Sequence, residues 1–296
     1  MIYCILGQTA SGKTSLAIKL AKEFSLPIIS ADAYQCYKIM QVGTDKPSKD
    51  EIAGISYHFY DEYEPDENIS VYEFQTKCRK IIEKYNSENK DVIVVGGNCL
   101  YVKALLFNYI FQNEDKNISN KYTSLPLEEL QKLLKEKSIE TYNQIDINNA
   151  RRVIRALIQL DEGTTHQEII NQNNDTPIYE TQFYKIDISK EEGNKKIDDR
   201  IDLMIKSGLI DEVKNLYLKY PENSRPFSTI GYIEIINALK ENKPVDNNVI
   251  DLIKIHTHQY AKKQRTFIKN QFKDVQSGSK EEIYQLIKNN IQKRKA

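Results

Sequence analysis

Residues 1–14 read MIYCILGQTASGKT. The first six are an uncharged apolar run that stops at Gly7, the reading of a short buried strand. Leu16, Ile18, Leu20 and Ala21 then recur at helical spacing between Ser15 and Phe24. Between strand and helix, Gly7-Gln8-Thr9-Ala10-Ser11-Gly12-Lys13-Thr14 fits G-x-x-x-x-G-K-[ST]. In that setting the pattern has a mechanical meaning. The glycines let backbone N–H groups turn inward around a phosphate at a helix N-terminus. Lys13 adds a point charge, and the Thr14 hydroxyl can join a Mg2+ shell. The plainer alternative is a glycine turn that holds no ligand.

Two further apolar runs extend the pattern, Leu26 to Ser30 (LPIIS) ending at Ala31-Asp32, and Asp91 to Val95 (DVIVV) cut off by Gly96-Gly97. Short apolar strands separated by helical stretches predict an α/β fold, a P-loop core with a parallel sheet flanked by helices. Ligands then belong at the carboxyl ends of the strands. From about Asn113 to Gln182 glycine is nearly absent and no strand pattern occurs. Pro126 to Lys137 and Ala150 to Glu162 read as helices, so 113–182 is expected to be an all-helical insertion between core segments 1–112 and 183–296. Tyr184 to Ile188 (YKIDI) alternates like a returning strand. Asp198 to Tyr217 and Ile250 to Phe272 read as long helices, with a polar link over Lys240 to Asn248.

Composition narrows the class. In 296 residues, 40% hydrophobic and 28% charged with 11 Gly and 8 Pro exclude disordered, collagen-like and disulfide-scaffold chains. Lys and Arg number 42 against 42 Asp and Glu, so no whole-molecule field draws the protein to a polyanion, and any such site must be local. The modest basic surplus is C-terminal. Cys4, Cys36, Cys78 and Cys99 form no C-x-x-C pair, which predicts a reducing compartment, the cytoplasm, without structural zinc. No apolar run approaches the roughly 18 residues of a membrane span, and the N-terminal strand is not a signal peptide.

Hydrolytic P-loop proteins usually follow an apolar strand with an Asp that helps hold magnesium, but DVIVV runs into Gly96-Gly97-Asn98. The nearest replacement is Asp32 after LPIIS, at the same sheet edge as the loop. A carboxylate there faces a bound phosphate across the cleft and suits action on a second substrate. Its alternative role is a cap or turn residue before Tyr34.

Three stretches together resemble the tRNA dimethylallyltransferase (tRNA isopentenyltransferase) family. The loop is similar to G-P-T-A-S-G-K-T, with Gln8 in place of proline. Ile29 to Pro47, ISADAYQCYKIMQVGTDKP, resembles I-S-A-D-S-x-Q-V-Y-x-x-M-D-I-G-T-A-K-P. Val94 to Leu105, VVGGNCLYVKAL, resembles V-G-G-T-x-L-Y-x-K-A-L. Further matches are Arg152 to Leu157 with R-x-x-R-A-L, Arg200 to Val213 with R-V-D-x-M-x-x-x-G-L-I-D-E-V, Ile230-Gly231-Tyr232 with I-G-Y, and Gln259 to Thr266 with Q-Y-A-K-R-Q-x-T.

The resemblance implies transfer of a dimethylallyl group from dimethylallyl diphosphate to N6 of the adenosine 3′-adjacent to the anticodon. The loop, Gly7 to Thr14, would then hold the leaving diphosphate, where a nucleotide such as ATP would sit in a kinase. By carry-over, Asp32 would be the base for the attacking amine. Lys13, Arg200 and Thr14 with Mg2+ would neutralise charge on the leaving group. Asp32, Ala33, Tyr34, Gln35 and Asn98 would meet the flipped adenosine and its neighbours.

Arg151, Arg152 and Arg155 share a helical face suited to the anticodon stem-loop backbone, and Lys262, Arg265 and Lys269 offer a second stripe. Solvated faces are the plainer alternative for both clusters, and for Arg200. His58 reads as structural, and His256 with His258 lacks the neighbours of a zinc site. The departures, Ala33 for serine, Asn98 for threonine, Asp146 to Asn149 for H-P-N-D and Phe267 to Lys269 for W-F-R, fall on the RNA side. A monomer is the simplest assembly for a cleft enclosing one RNA arm. Competing classes are an adenylate (AMP or ATP) isopentenyltransferase, a small-molecule kinase and a nucleotide-gated RNA-binding module.

Overall fold

Strands β1 (Ile2–Leu6), β2 (Ile28–Ser30), β3 (Tyr57–His58), β4 (Val92–Val95), β5 (Thr181–Ile186) and β6 (Gln276–Gly278) form one sheet in the order β3-β2-β4-β1-β5-β6, with every pairing parallel. The structure is a computed structural model and describes residues 1–109, 111, 121–164 and 176–295. Central strands buried on both faces explain the uninterrupted apolar runs: all of β1 and β4 are buried. Cys4 stands opposite Val94 on one side and Phe183 on the other, and Ser30 is level with Val95. The loops after β1, β2 and β4 therefore open at one edge.

The chain divides into two compact units, residues 1–106 with 177–296, and residues 107–176. Both boundaries fall six residues before the expected 112/113 and 182/183, because Thr181 and Gln182 already pair with Ile2 and Tyr3 in the sheet. The first unit holds α1 (Lys13–Phe24), α2 (Val71–Ser87) and α3 (Cys99–Leu106). The second contains α4 (Leu127–Lys137), α5 (Ile139–Gln144) and α6 (Ala150–Asp161). Then come α7 (Lys190–Lys206), α8 (Leu209–Lys219), a 3-10 turn (Arg225–Ser228), α9 (Tyr232–Lys240), α10 (Asn247–Gln271) and α11 (Lys280–Lys295), all in the first unit.

The helix expected over 198–217 is two helices. Gly208, at φ 96°, takes the left-handed conformation that other residues avoid, and it ends one axis and caps the next. On one face of the sheet Tyr3, Ile5, Ile28, Ile93 and Val95 meet Leu16, Ala17, Leu20 and Ala21 of α1. Ile283, Tyr284, Ile287 and Ile291 of α11 complete the layer. Lys280 Nζ donates to Ser15 Oγ at 2.8 Å, just inside the first turn of α1.

In the second unit, Tyr122, Leu130, Leu134, Val153, Leu157 and Ile158 form a separate core. Asp161 accepts from Tyr122 and pairs with Lys121 and Lys137. Burial alone would raise its carboxyl, but these partners draw it down to about 2. Residues 113–120 and 165–175 of the expected insertion lie outside the described residues. Among the described residues no helix is long and apolar enough to cross a membrane, and no cluster of three His, Cys, Asp or Glu could hold a metal ion. All four cysteines are buried thiols.

Candidate active site

The phosphate loop leaves β1 at Gly7 and turns through Ala10 (φ 60°) and Gly12 (φ 83°) into α1, whose first residue is Lys13. Across the edge, the loop after β4 comes against the end of β2. A Cβ on Gly96 would lie 2.1 Å from the Ala31 carbonyl oxygen, so only glycine allows the approach. Asn98 N–H donates to that same carbonyl at 3.2 Å.

One buried side chain ties the two loops together. Gln264 of α10, 4% exposed, accepts from Thr9 N–H at 2.8 Å and donates to the Gly97 carbonyl at 2.8 Å. Beside it Arg265 donates to Gln8 Oε1. Arg265 was expected in a solvent-facing phosphate stripe with Lys262 and Lys269. Its guanidinium instead holds the residue that stands where the resembling motif has proline.

Thr9, Lys13, Thr14, Asp32, Thr44, Asp45, Arg200 and Tyr260 line a small polar cavity of about 70 Å3. Asp32, Arg200 and Tyr260 also line a larger one of about 430 Å3, with Ala33, Tyr34, Asn98, Arg225 and Thr257. The expected set of Lys13, Thr14, Asp32 and Arg200 therefore converges, with Ala33, Tyr34 and Asn98 next door. Asp32 is a turn residue that also borders both cavities. Oδ1 accepts from Tyr34 N–H at 2.9 Å and Gln35 N–H at 3.2 Å, a turn that fixes the carboxylate.

Gln35 borders the small cavity as well. It is 6% exposed, accepts from Ser30 Oγ at 3.2 Å and donates to the carbonyls of Thr44 and Asp45, each at 3.3 Å, so its amide braces a loop. Arg200 Nη1 pairs with Asp45 Oδ2 at 3.1 Å.

Electrostatics inside the cleft are set by burial. Withdrawal of the ammonium from water, and then the Arg200 guanidinium, lower Lys13 to about 8, although Asp32 pulls the other way. Burial and then the Asp32 carboxylate raise the hydroxyls of Tyr57 and Tyr260, so both remain neutral donors at working pH.

Arg151, Arg152 and Arg155 lie on α6 in the second unit, all exposed, with Arg152 3.7 Å from Asp146. His58 Nε2 meets the Tyr85 hydroxyl at 2.9 Å, a structural contact. His256 pairs with Glu234 at 2.5 Å and His258 with Asp198 at 2.9 Å. Tyr57, Tyr260, Gln264, Arg225 and Asp45 were not foreseen as site residues. Only the Q-Y-A-K-K-Q spacing, with Tyr260 and Gln264 one helical turn apart, carried a usable signal.

A parallel sheet with a phosphate loop after its first strand and a carboxylate after its second frames a P-loop α/β enzyme. Comparison with known proteins agrees. The chain belongs to the IPP transferase family, whose model matches residues 35–271, beginning just after Asp32. A tRNA dimethylallyltransferase of Oceanobacillus iheyensis is 37% identical over 276 residues, covering 91% of this chain and 88% of the relative. The crystal structure of a tRNA delta(2)-isopentenylpyrophosphate transferase from Staphylococcus epidermidis superposes with a TM-score of 0.73 at 32% identity, covering 99% of both chains. A eukaryotic dimethylallyltransferase acting on tRNA gives 0.79 at 26% identity, covering 94% of this chain and 74% of that one.

Proposed function

We propose that this prenyltransferase modifies tRNA by moving the dimethylallyl group of dimethylallyl diphosphate to N6 of the adenosine 3′-adjacent to the anticodon. The observation that carries the reading is the convergence of Asp32, Lys13 and Arg200 on the small polar cavity, with Asp32 and Arg200 also bordering the larger one. The small cavity suits the diphosphate, and the larger one suits a base lifted out of its stack. Asp32, oriented by two backbone amides, takes the N6 proton as the N–C bond forms. The C–O bond of the donor breaks, and its electron pair leaves on diphosphate, where Lys13, Arg200 and the loop amides meet the developing charge.

Hard oxygen donors border the small cavity, Thr14 among them, and fit Mg2+. Thr14 would hold the ion, which supplies positive charge to the leaving group. Arg151, Arg152 and Arg155 are assigned to the anticodon-stem backbone, and the enzyme is assigned to the cytoplasm as a monomer.

The test is transfer from labelled dimethylallyl diphosphate with Mg2+ to an anticodon stem-loop, offered in parallel with AMP and ATP. Label at adenine N6 of the RNA, lost in Asp32→Ala, is the expected result. Label entering only AMP or ATP would assign the enzyme to free adenylates.

A further inference from the structure

Asp45 has no part in the chemistry above, yet its carboxylate holds the guanidinium to which that chemistry gives the leaving group. It stands where the motif that this segment resembles has alanine. Its placement is over-determined. Glu212 accepts from the backbone N–H groups of Gln41, Val42 and Gly43 at 2.9, 2.8 and 2.9 Å, pinning the loop that leads to it. Asp45 N–H donates to the Val42 carbonyl at 3.1 Å, and its own carbonyl accepts from Gln35. Its φ of 48° is left-handed, a conformation that aspartate and asparagine tolerate better than most residues. The carboxylate is thus presented from fixed backbone at the edge of the diphosphate cavity.

We infer that Asp45 competes with the donor's diphosphate for Arg200, orienting the guanidinium and setting how tightly the leaving group is held. The idea rests on the donor-site reading given above. The pair is partly solvated, with side-chain exposures of 27% for Arg200 and 59% for Asp45. Its effect is correspondingly modest, about two- to fivefold in affinity. A dianionic ligand outcompetes a single carboxylate, so Asp45 tunes the site without closing it. The same device keeps product diphosphate from being retained, because the carboxylate is at hand to reclaim Arg200.

The test is a double-mutant cycle on inorganic diphosphate binding with Mg2+, measured by calorimetry on wild type, Asp45→Asn, Arg200→Gln and the double variant. Asparagine preserves the left-handed turn. Asp45→Asn is expected to tighten diphosphate two- to fivefold, and the gain should vanish in the Arg200→Gln background. The Arg200 Nε–H NMR signal, assigned by its absence from Arg200→Gln, should move on Asp45→Asn alone and on adding diphosphate to wild type. This readout stands even where Arg200→Gln binds too weakly for calorimetry.

Weaker binding in Asp45→Asn, an equal gain without Arg200, or an unmoved Arg200 signal would each overturn the inference. Failure of wild type to bind diphosphate at all would instead remove the donor-site reading beneath it.

Discussion

Gln264→Ala removes a buried side chain that bridges the phosphate loop and the glycine turn after β4. The Gly97 carbonyl, buried, would lose its donor at a cost of about 1–3 kcal/mol. Thr9 N–H borders the cleft and can take water, so its loss costs about 0.5–1.5 kcal/mol. The one buried methylene that alanine lacks, Cγ, adds about 0.8 kcal/mol. Together these give a destabilisation of about 2–5 kcal/mol, a fall in Tm of roughly 5–10 °C for a chain of this size. Activity should fall further than stability requires, because the loop that cradles diphosphate would lose its fixed position. A displacement near 1 Å costs about a hundredfold in rate. Urea unfolding and steady-state kinetics with dimethylallyl diphosphate measure both effects. Gln264→Glu sharpens the comparison, since it retains the acceptor for Thr9 but sets a carboxylate against the Gly97 carbonyl, and it should be no better than alanine. A Gln264→Ala protein within about 1 kcal/mol of wild type, with kcat/KM within twofold, would refute the idea that this residue fixes the loop.

Lys13, lowered to about 8, is an ammonium below that pH and neutral above it, and only the charged form attracts diphosphate. The kcat/KM for the donor should therefore be level below pH 7.5 and fall above about pH 8 with a limiting slope of one proton. Lys13→Arg should carry that limb out of range, and an alkaline limb that stays in place would assign it to another group. Glu212→Gln turns an amide N–H2 or a single oxygen toward three backbone donors and the Tyr232 hydroxyl. It should cost about 2–3 kcal/mol by leaving donors unpaired. Amide hydrogen exchange at Gln41 to Gly43 should speed up at least tenfold, and unchanged exchange there would mean that the loop is held by something else.

The features legible in the sequence are local ones. β1, the loop and α1 are consecutive, and their chemistry is spelled out within residues 1–24. Asp32 was legible because the period and length of LPIIS imply a parallel strand, and the carboxyl end of such a strand shares the loop's edge. β3 and β6 were not legible: Tyr57–His58 is two residues long, and Gln276–Gly278 is polar and sits at the sheet edge, so neither carries an apolar run. The Gln264 clamp was hidden for a different reason, since its partners lie 255 and 167 residues away and nothing in a glutamine's surroundings marks it as a bridge. Gln35 entered the site through the family resemblance and does border the small cavity, but nothing local showed that its amide would also reach the Thr44 and Asp45 carbonyls. The partner of Arg265 was hidden as well. Helical spacing groups it with Lys262 and Lys269, but Gln8 opposite offers it a partner.

The contact between α11 and α1 bears on how the enzyme comes into being. Ser15 and Lys280 are 265 residues apart, and the apolar stripe of α1 is covered by Ile283, Tyr284 and Ile287. A growing polypeptide thus displays the whole phosphate loop early in translation while the helix behind it still has one flank bare. The core seals when residues 280–291 emerge from the ribosome. Chains that have not yet added residues 280–291 are therefore expected to carry the loop on a helix with one flank uncovered.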